Sequence, residues 1–292
     1  MTKRTSISEL SAEFIGSMFL VMAAVSSMIF FVYVLESSKS VAILANAVTV
    51  AFVLMALIEM FGSVSGAHFN PVVTLIMLLE KKIGAKKAAL FLLVQTIGGI
   101  VGTALTHLMF WNEKGVLFSV SENVRSHAYF GEVIGTFILI LAILMLVKGK
   151  STHVPMMVGF LVGGQLMATS STMFANPQVT IARMLTSSAS GIRPIDGLVF
   201  IVMQIIGALL AYAVYKLIFS KKYISDGGKI MPCENVKECA CPKTTCPNHK
   251  KCCACVIKHK ETDSLPFCLF LDNDGDKSVE NYYKKLKERF EK

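Results

Sequence analysis

The sequence predicts an all-α membrane protein with six transmembrane helices and two re-entrant half-helices, arranged as two inverted repeats. Three observations predict this fold class: a strongly apolar composition, long apolar runs separated by short polar connections, and an Asn-Pro element that occurs twice. Hydrophobic residues make up 53% of the chain, which is more than a soluble domain ordinarily carries. The composition therefore argues against a soluble globular protein.

The first Asn-Pro element, residues 65–74, reads Ser-Gly-Ala-His-Phe-Asn-Pro-Val-Val-Thr and interrupts an apolar sequence. Irregular backbone survives at membrane depth only where protein or a water-filled cavity surrounds it. Asn70 suits a helix N-cap, and Pro71 suits the first helical position, which needs no amide donor. The helix predicted over 72–79 is too short to span the bilayer, so we expect its positive N-terminal end to face a pore.

A second copy of this element follows at 174–180, where Asn176 and Pro177 begin the same Asn-Pro-x-Val-Thr pattern. Two further pairs of segments recur in the same order: 12–17 with 131–136, and 95–98 with 204–207. Three ordered pairs predict two copies of one membrane unit, at about 7–111 and 127–220.

With these paired boxes, the chain resembles the major intrinsic protein family, the aquaporins and aquaglyceroporins, over about residues 7–220. The first box is close to that family's first signature. The resemblance implies an aquaporin-like channel domain at 1–222, passive passage of small uncharged solutes, a homotetramer with one pore per subunit, and no cofactor for the channel. It implies no enzyme activity, and the spans contain no nucleophile and base set.

The apolar runs predict the individual elements. The spans are expected at 10–35, 41–61, 88–111, 129–147, 154 to about 169, and 197–219, and the second half-helix at 177 to about 188. Lys and Arg number 29 against 20 Asp and Glu, but the basic clusters at 80–87, 148–150 and 221–222 fall on alternate connections. The positive-inside rule explains this excess without nucleic acid and predicts that both termini are cytoplasmic. We expect the channel to be a multi-pass protein of the plasma membrane.

The family resemblance also implies the pore residues. Asn70 and Asn176 would offer amide donors where the half-helices meet, and the paired helix dipoles would oppose cations. Val72 and Gln178 replace the family's usual alanine. For Gln178, a pore-facing role and an orientation into the loop both stay open.

A second filter in the family uses an arginine three residues after the second Asn, and here that position is Val179. The matching positions on the second and fifth spans are about Val50 and Gly164, with Met173 nearby on the loop. Such a filter would be wide and apolar, and would favour glycerol-like polyols and undissociated arsenous acid as well as water. Arg183 lies one turn, about 6 Å, further out; it either reproduces part of the lost filter or extends to lipid headgroups.

Three ionisable residues at membrane depth need partners, because such groups are costly in lipid. Glu13 and Glu132 occupy equivalent places in the two repeats, where they could form a proton relay or hold the loop backbone. The resemblance implies the second role, and it implies a loop-bracing role for His68.

The segment 223–292 is predicted to be a cytoplasmic tail that contains all eight cysteines and ends in an amphipathic helix over 278–290. Disulfides suit a reducing compartment poorly, whereas the spacings suit a soft-metal site for zinc or trivalent arsenic. The candidate ligands are Cys233, Cys239, Cys241, Cys246, His249, Cys252, Cys253, Cys255, His259 and Cys268.

The sequence leaves one alternative function open. In it, the tail senses or buffers metal or arsenic, and the membrane part is its anchor or gated output. A coupled transporter would also use inverted repeats, but the sequence offers no ion site at the breaks beyond the neutral Asn pair.

Overall fold

The structure is a computed structural model that describes residues 5–113, 118–219, 244–249, 255–256, 258–259, 266 and 278–290. Contacts divide the chain into two units, Met1–Ser220 and Lys221–Lys292. We describe each unit by itself.

Among its described residues the first unit contains eight α-helices, and their bounds lie close to those that the apolar runs predict. Ser6 and Glu9 form a capping box at the start of the first helix, and a π-helical segment at Phe30–Val34 extends that helix. The helices are α1 Ile7–Ile29, α2 Lys39–Phe61, α3 Pro71–Leu79, α4 Ala85–Met109, α5 Tyr129–Lys148, α6 Val154–Ala168, α7 Pro177–Arg183 and α8 Pro194–Phe219.

Among the described residues, five of these helices are long and apolar enough to cross a membrane: α1, α2, α4, α5 and α8. The sixth, α6, is apolar and has 15 residues, which corresponds to about 22 Å. With the half-helices α3 and α7, these elements confirm the predicted all-α membrane fold.

The two repeats pack in the same way. Helix α1 lies against α4 in the first repeat, and α5 lies against α8 in the second. A Cβ on Gly98 would lie 2.4 Å from the Phe14 carbonyl oxygen, and one on Gly207 would lie 2.4 Å from the Val133 carbonyl oxygen. Small residues at these crossings therefore let the paired helix backbones touch.

The half-helix α7 is shorter than predicted, since it ends at Arg183 and not near 188. Beyond it the chain turns back, and the amide of Ile192 donates to the Arg183 carbonyl at 3.1 Å. The Thr186 hydroxyl accepts from the amide of Ser188 in the same turn. Polar side chains that satisfy the backbone locally compete with helix here.

The second unit contains one further helix among the described residues, α9 Val279–Phe290, at the place predicted for a terminal helix. Of the ten candidate metal ligands, Cys246, His249, Cys255 and His259 are described, and the described residues contain no metal-holding group of three. The other six, Cys233, Cys239, Cys241, Cys252, Cys253 and Cys268, lie outside the described residues. The metal site therefore stays a prediction.

Candidate pore

Both half-helices begin at an Asn-Pro pair inside the helix bundle. The Asn70 side chain accepts a hydrogen bond from the amide of Val72 at 3.0 Å, and Asn176 accepts one from Gln178 at 3.2 Å. Pro71 and Pro177 occupy the first helical positions. This is the capping arrangement that the sequence predicts.

The two half-helices meet through reciprocal hydrogen bonds. Asn70 Nδ2 donates to the Ala175 carbonyl, and Asn176 Nδ2 donates to the Phe69 carbonyl, each at 2.8 Å. An amide nitrogen carries two hydrogens, so each Asn can donate the other one to a solute. Both side chains line the same cavity.

The loops before the half-helices adopt an unusual backbone conformation. Ala67 and Phe69 have φ values of 48° and 45°, and Met173 and Ala175 have 35° and 46°. Left-handed φ values are costly for residues with a Cβ and persist only when surrounding structure enforces them.

Two buried carboxylates accept backbone amide hydrogens from these loops. Glu13 accepts from the amides of His68 at 3.0 Å and Phe69 at 2.8 Å. Glu132 accepts from the amides of Phe174 and Ala175, both at 2.8 Å. The carboxylates thus lie where they can hold loop backbone, and this geometry fits the bracing role implied by the family.

A second pair of residues holds the carboxylates in place. Gln95 Nε2 donates to Glu13 at 2.7 Å and to Thr74 Oγ1 at 3.0 Å. Gln204 Nε2 donates to Glu132 at 2.6 Å and to Thr180 Oγ1 at 2.9 Å. His68 Nδ1 lies 3.0 Å from Thr74 Oγ1, so His68 joins the network of the first repeat.

A cavity of about 450 Å³ runs past the two Asn residues. Lys82 and Lys87 line it at the end where α3 leads into α4, and Asn46 and Arg183 line it at the other end. Most of its wall is aliphatic, with Leu20, Leu54, Leu139, Val158, Val162 and Leu166 among the lining residues. The wall between the two polar ends of the cavity is therefore mainly apolar.

Of the predicted second-filter residues, Val50, Met173 and Val179 line this cavity. The prediction of Gly164 is wrong. Gly164 is exposed, and a Cβ there would meet no heavy atom within 4 Å. The face of α6 that lines the cavity repeats at four-residue intervals through Val158, Val162 and Leu166, and position 164 lies on a different face.

The two residues that replace the family alanine do not line the cavity. Val72 is buried in an apolar cluster with Ile140 and Ala208. Gln178 is fully buried, and its Nε2 donates to the Phe69 carbonyl at 3.3 Å. Its Oε1 would lie 2.1 Å from a Cβ on Gly99 of α4, so the side chain points away from the pore.

Arg183 does not extend toward lipid, because only 3% of its surface is exposed. Its Nε donates to the Ser190 carbonyl at 2.6 Å, and its guanidinium carbon lies 3.6 Å from the centroid of the Phe174 ring. Arg183 therefore lies at the mouth of the pore, where its guanidinium can contact a passing solute.

Asn46 faces the same mouth, and the motif-based prediction missed it. Its Nδ2 donates to the Ala24 carbonyl at 2.9 Å and to Ser27 Oγ at 2.8 Å. Asn46 and Arg183 both line the main cavity and a second cavity of about 250 Å³, so they form the junction between the two. A lone amide four residues before Val50 in an apolar span is a signal that could have identified it.

Comparison with known proteins agrees with this architecture. Residues 1–174 match the family model described as Major intrinsic protein. The chain is 34% identical to aquaglyceroporin AqpS of Rhizobium meliloti (strain 1021) over 70% of this chain and 87% of that protein. It is 30% identical to aquaporin-1 of Bos taurus over 78% of this chain and 88% of that protein.

A solved structure, the aquaglyceroporin from Plasmodium falciparum, shares the fold, with a TM-score of 0.59 and 20% sequence identity. That alignment covers 73% of this chain and 97% of the other. The family-model match spans more than half of the chain, and the aligned relatives are channels and not enzymes. By this evidence, the chain belongs to the major intrinsic protein family of passive membrane channels for small solutes.

Proposed function

We propose that this channel passes small uncharged solutes larger than water, namely glycerol-like polyols and undissociated metalloid hydroxides such as arsenous acid, together with water. The observation that carries the proposal is the aliphatic cavity wall at Val50, Met173 and Val179. An arginine at position 179 would supply a fixed fork of donors and a permanent charge. Valine supplies neither, so the pore is wide and apolar at this level.

Polar contacts on either side of this level support the same solutes. A polyol or arsenous acid sheds part of its hydration shell in the aliphatic segment, and each lost hydrogen bond raises its barrier. On one side of the apolar segment, Asn70 and Asn176 offer hydrogen-bond donors to the solute. On the other side, Asn46 and Arg183 offer polar groups. The solute's carbon or metalloid face packs against the aliphatic wall meanwhile.

The test is Val179→Arg in the full chain reconstituted into proteoliposomes, with Val179→Leu as the matched control. Stopped-flow light scattering measures permeability to water, glycerol and arsenous acid. We expect Val179→Arg to lower glycerol and arsenous acid permeability at least about tenfold relative to water, a barrier change of about 1.4 kcal/mol. Equal loss for all three solutes, or no loss, would place the selective step elsewhere.

We also propose that the channel is a homotetramer in the plasma membrane with both termini in the cytoplasm. The distribution of basic clusters supports the orientation, and the family supports the assembly. Cysteine accessibility at position 113, between α4 and α5, and at position 150, between α5 and α6, tests the orientation. We expect an impermeant thiol reagent added outside intact cells to label only position 113, in a variant whose tail cysteines are replaced by serine.

The tail supports a second proposal, that it binds zinc or trivalent arsenic. All eight cysteines lie between residues 233 and 268, and thiolates are the ligands these ions prefer. Metal analysis of the purified full chain under reducing conditions tests this, with the eight-serine variant as control. Equal zinc and arsenite content in both proteins would refute it.

A further inference from the structure

The second cavity, which we call the basic vestibule, collects positive charge at one mouth of the pore. Among its ten lining residues, Lys39, Arg125, His127 and Arg183 carry or can carry positive charge, and no carboxylate lines it. The full lining is Met28, Lys39, Ile43, Asn46, Arg125, His127, Ser170, Thr172, Arg183 and Ala189.

Two arginines of the vestibule pack against one aromatic ring. The guanidinium carbon of Arg183 lies 3.6 Å from the centroid of the Phe174 ring, and that of Arg125 lies 5.3 Å from it. Like charges held this close repel each other, and the repulsion grows where water is excluded. An anion between or beside them would relieve it.

Protein groups orient these guanidiniums without neutralising them. Arg125 donates from Nε to the Gly191 carbonyl at 3.0 Å and from Nη2 to the Ala189 carbonyl at 3.2 Å. The Arg183 Nε is likewise bonded to a carbonyl. Within the described part of the chain, neither guanidinium forms an ion pair with a carboxylate.

Two acids close to these arginines, Glu132 and Asp196, form hydrogen bonds with other groups. Glu132 accepts the loop amides of Phe174 and Ala175. Asp196 accepts two hydrogen bonds from the guanidinium of Arg193. It accepts a further one from the backbone amide of Arg125, and not from the Arg125 guanidinium. Glu132 therefore lies near both arginines without an ion pair to either guanidinium, and the N–H groups of the guanidiniums that face the vestibule meet no carboxylate among the described residues that line it.

We propose that the basic vestibule binds a small oxyanion, of the carboxylate or tetrahedral phosphate type. Guanidinium groups match such anions with paired N–H donors, and the hydroxyls of Ser170 and Thr172 line the same cavity. A volume of about 250 Å³ accommodates an anion of five or so heavy atoms with water. A bound anion lies in front of the Asn46–Arg183 junction and obstructs neutral solutes there.

Binding is tested on the full chain in micelles, with methylphosphonate as the probe and the width of its ³¹P resonance as the readout. We expect saturable broadening that excess inorganic phosphate reverses. Arg125→Gln and Lys39→Gln should each weaken binding about tenfold, as expected for loss of a charge-assisted hydrogen bond. Lys86→Gln, an exposed lysine at the other end of the bundle, is the matched control and should bind like the original chain.

The outcomes separate a built site from general charge attraction. Broadening that Arg125→Gln and Lys39→Gln leave unchanged, or that Lys86→Gln weakens equally, overturns the proposal. Lys39 is exposed, so Lys39→Gln remains informative where Arg125→Gln fails to fold. The readout needs no solute flux, and it therefore stands apart from the proposed solute selectivity.

The functional consequence is measured separately in proteoliposomes. Phosphate on both sides, compared with chloride at equal osmolarity and ionic strength, should slow glycerol flux in the original chain and in Lys86→Gln. It should not slow flux in Arg125→Gln. Equal inhibition of all three proteins would overturn the obstruction step.

Discussion

At the scale of single residues, Glu13 and Glu132 explain how a pore loop keeps a costly conformation. Both carboxylates are fully buried, and each accepts hydrogen bonds from loop amides and from a glutamine side chain. A proton relay would need a carboxylate free to exchange protons with water. These two are enclosed by donors, which favours the bracing role.

We therefore expect Glu132→Gln and Glu13→Gln to destabilise the channel by about 2–5 kcal/mol, because the new NH₂ group faces backbone donors and leaves them buried without an acceptor. Denaturant unfolding in micelles measures this. The control is Glu59→Gln, since Glu59 is exposed on α2 and its replacement should change stability by less than about 0.5 kcal/mol. Unchanged unfolding of both loop-acid variants would contradict the bracing role.

Sequence offsets placed residues best where a motif fixed the position, and the roles of these residues as a filter stay a prediction. Val50, Met173 and Val179 were predicted by offset and do line the cavity. Gly164 was not placed correctly, because an offset carried onto α6 leaves the rotation of that helix undetermined. Arg125 was missed for a related reason, since only the fold brings the α4–α5 connection beside Phe174.

At the scale of elements, α4 supports both α1 and α7 through adjacent glycines. A Cβ on Gly98 would lie 2.4 Å from a backbone oxygen of α1, whereas one on Gly99 would lie 2.1 Å from the side-chain oxygen of Gln178. The first clash involves backbone that cannot move alone. The second involves the far end of a side chain.

The pair predicts a rescue experiment. Gly99→Ala should cost about 1–3 kcal/mol as an overpacked site, and adding Gln178→Ala should recover most of that loss because it removes the clashing atoms. Gly98→Ala should cost at least as much, and Gln178→Ala should not rescue it. A double-mutant cycle of unfolding free energies measures the coupling, and equal rescue of both glycine variants would show that the contact with α7 is misassigned.

Element bounds were predictable to the extent that local chemistry sets them. The half-helix α3 begins at Pro71 because Asn70 caps it and proline needs no donor there. The end of α7 was not predictable, because the turn that stops it depends on bonds to residues 188–192 that the sequence pattern does not reveal.

At the scale of the whole molecule, paired motifs predicted the duplicated architecture because each repeat holds its half-helix with the same kinds of residues. A half-helix that starts inside the membrane needs an Asn-Pro cap, a bracing acid and a glutamine to hold that acid. Asn70, Glu13 and Gln95 supply these in the first repeat, and the second repeat supplies its own set. The recurring segments predicted the caps and the position of the acids, whereas the contact of each glutamine with its acid appears only in the structure.

The first unit, Met1–Ser220, holds the groups that shape the pore. It contains the paired half-helices, the two buried acids and two apolar clusters packed around the half-helices. A unit with its own core can fold without the rest of the chain. We therefore expect removal of residues 223–292 to leave water and glycerol permeability per channel within about twofold, and to leave the unfolding free energy in micelles within about 1 kcal/mol.

The same deletion separates a passive tail from a gating one. If the tail binds metal and gates the pore, zinc or arsenite should change glycerol flux in the full chain, and both the deletion and the eight-serine variant should lose that response while keeping basal flux. If the tail only buffers metal, the full chain binds zinc or arsenite but its flux does not respond. All the described residues that line the cavity lie before residue 220, so we expect basal flux to survive the deletion. Loss of basal flux, with the protein still folded, would instead show that the channel unit is not self-sufficient.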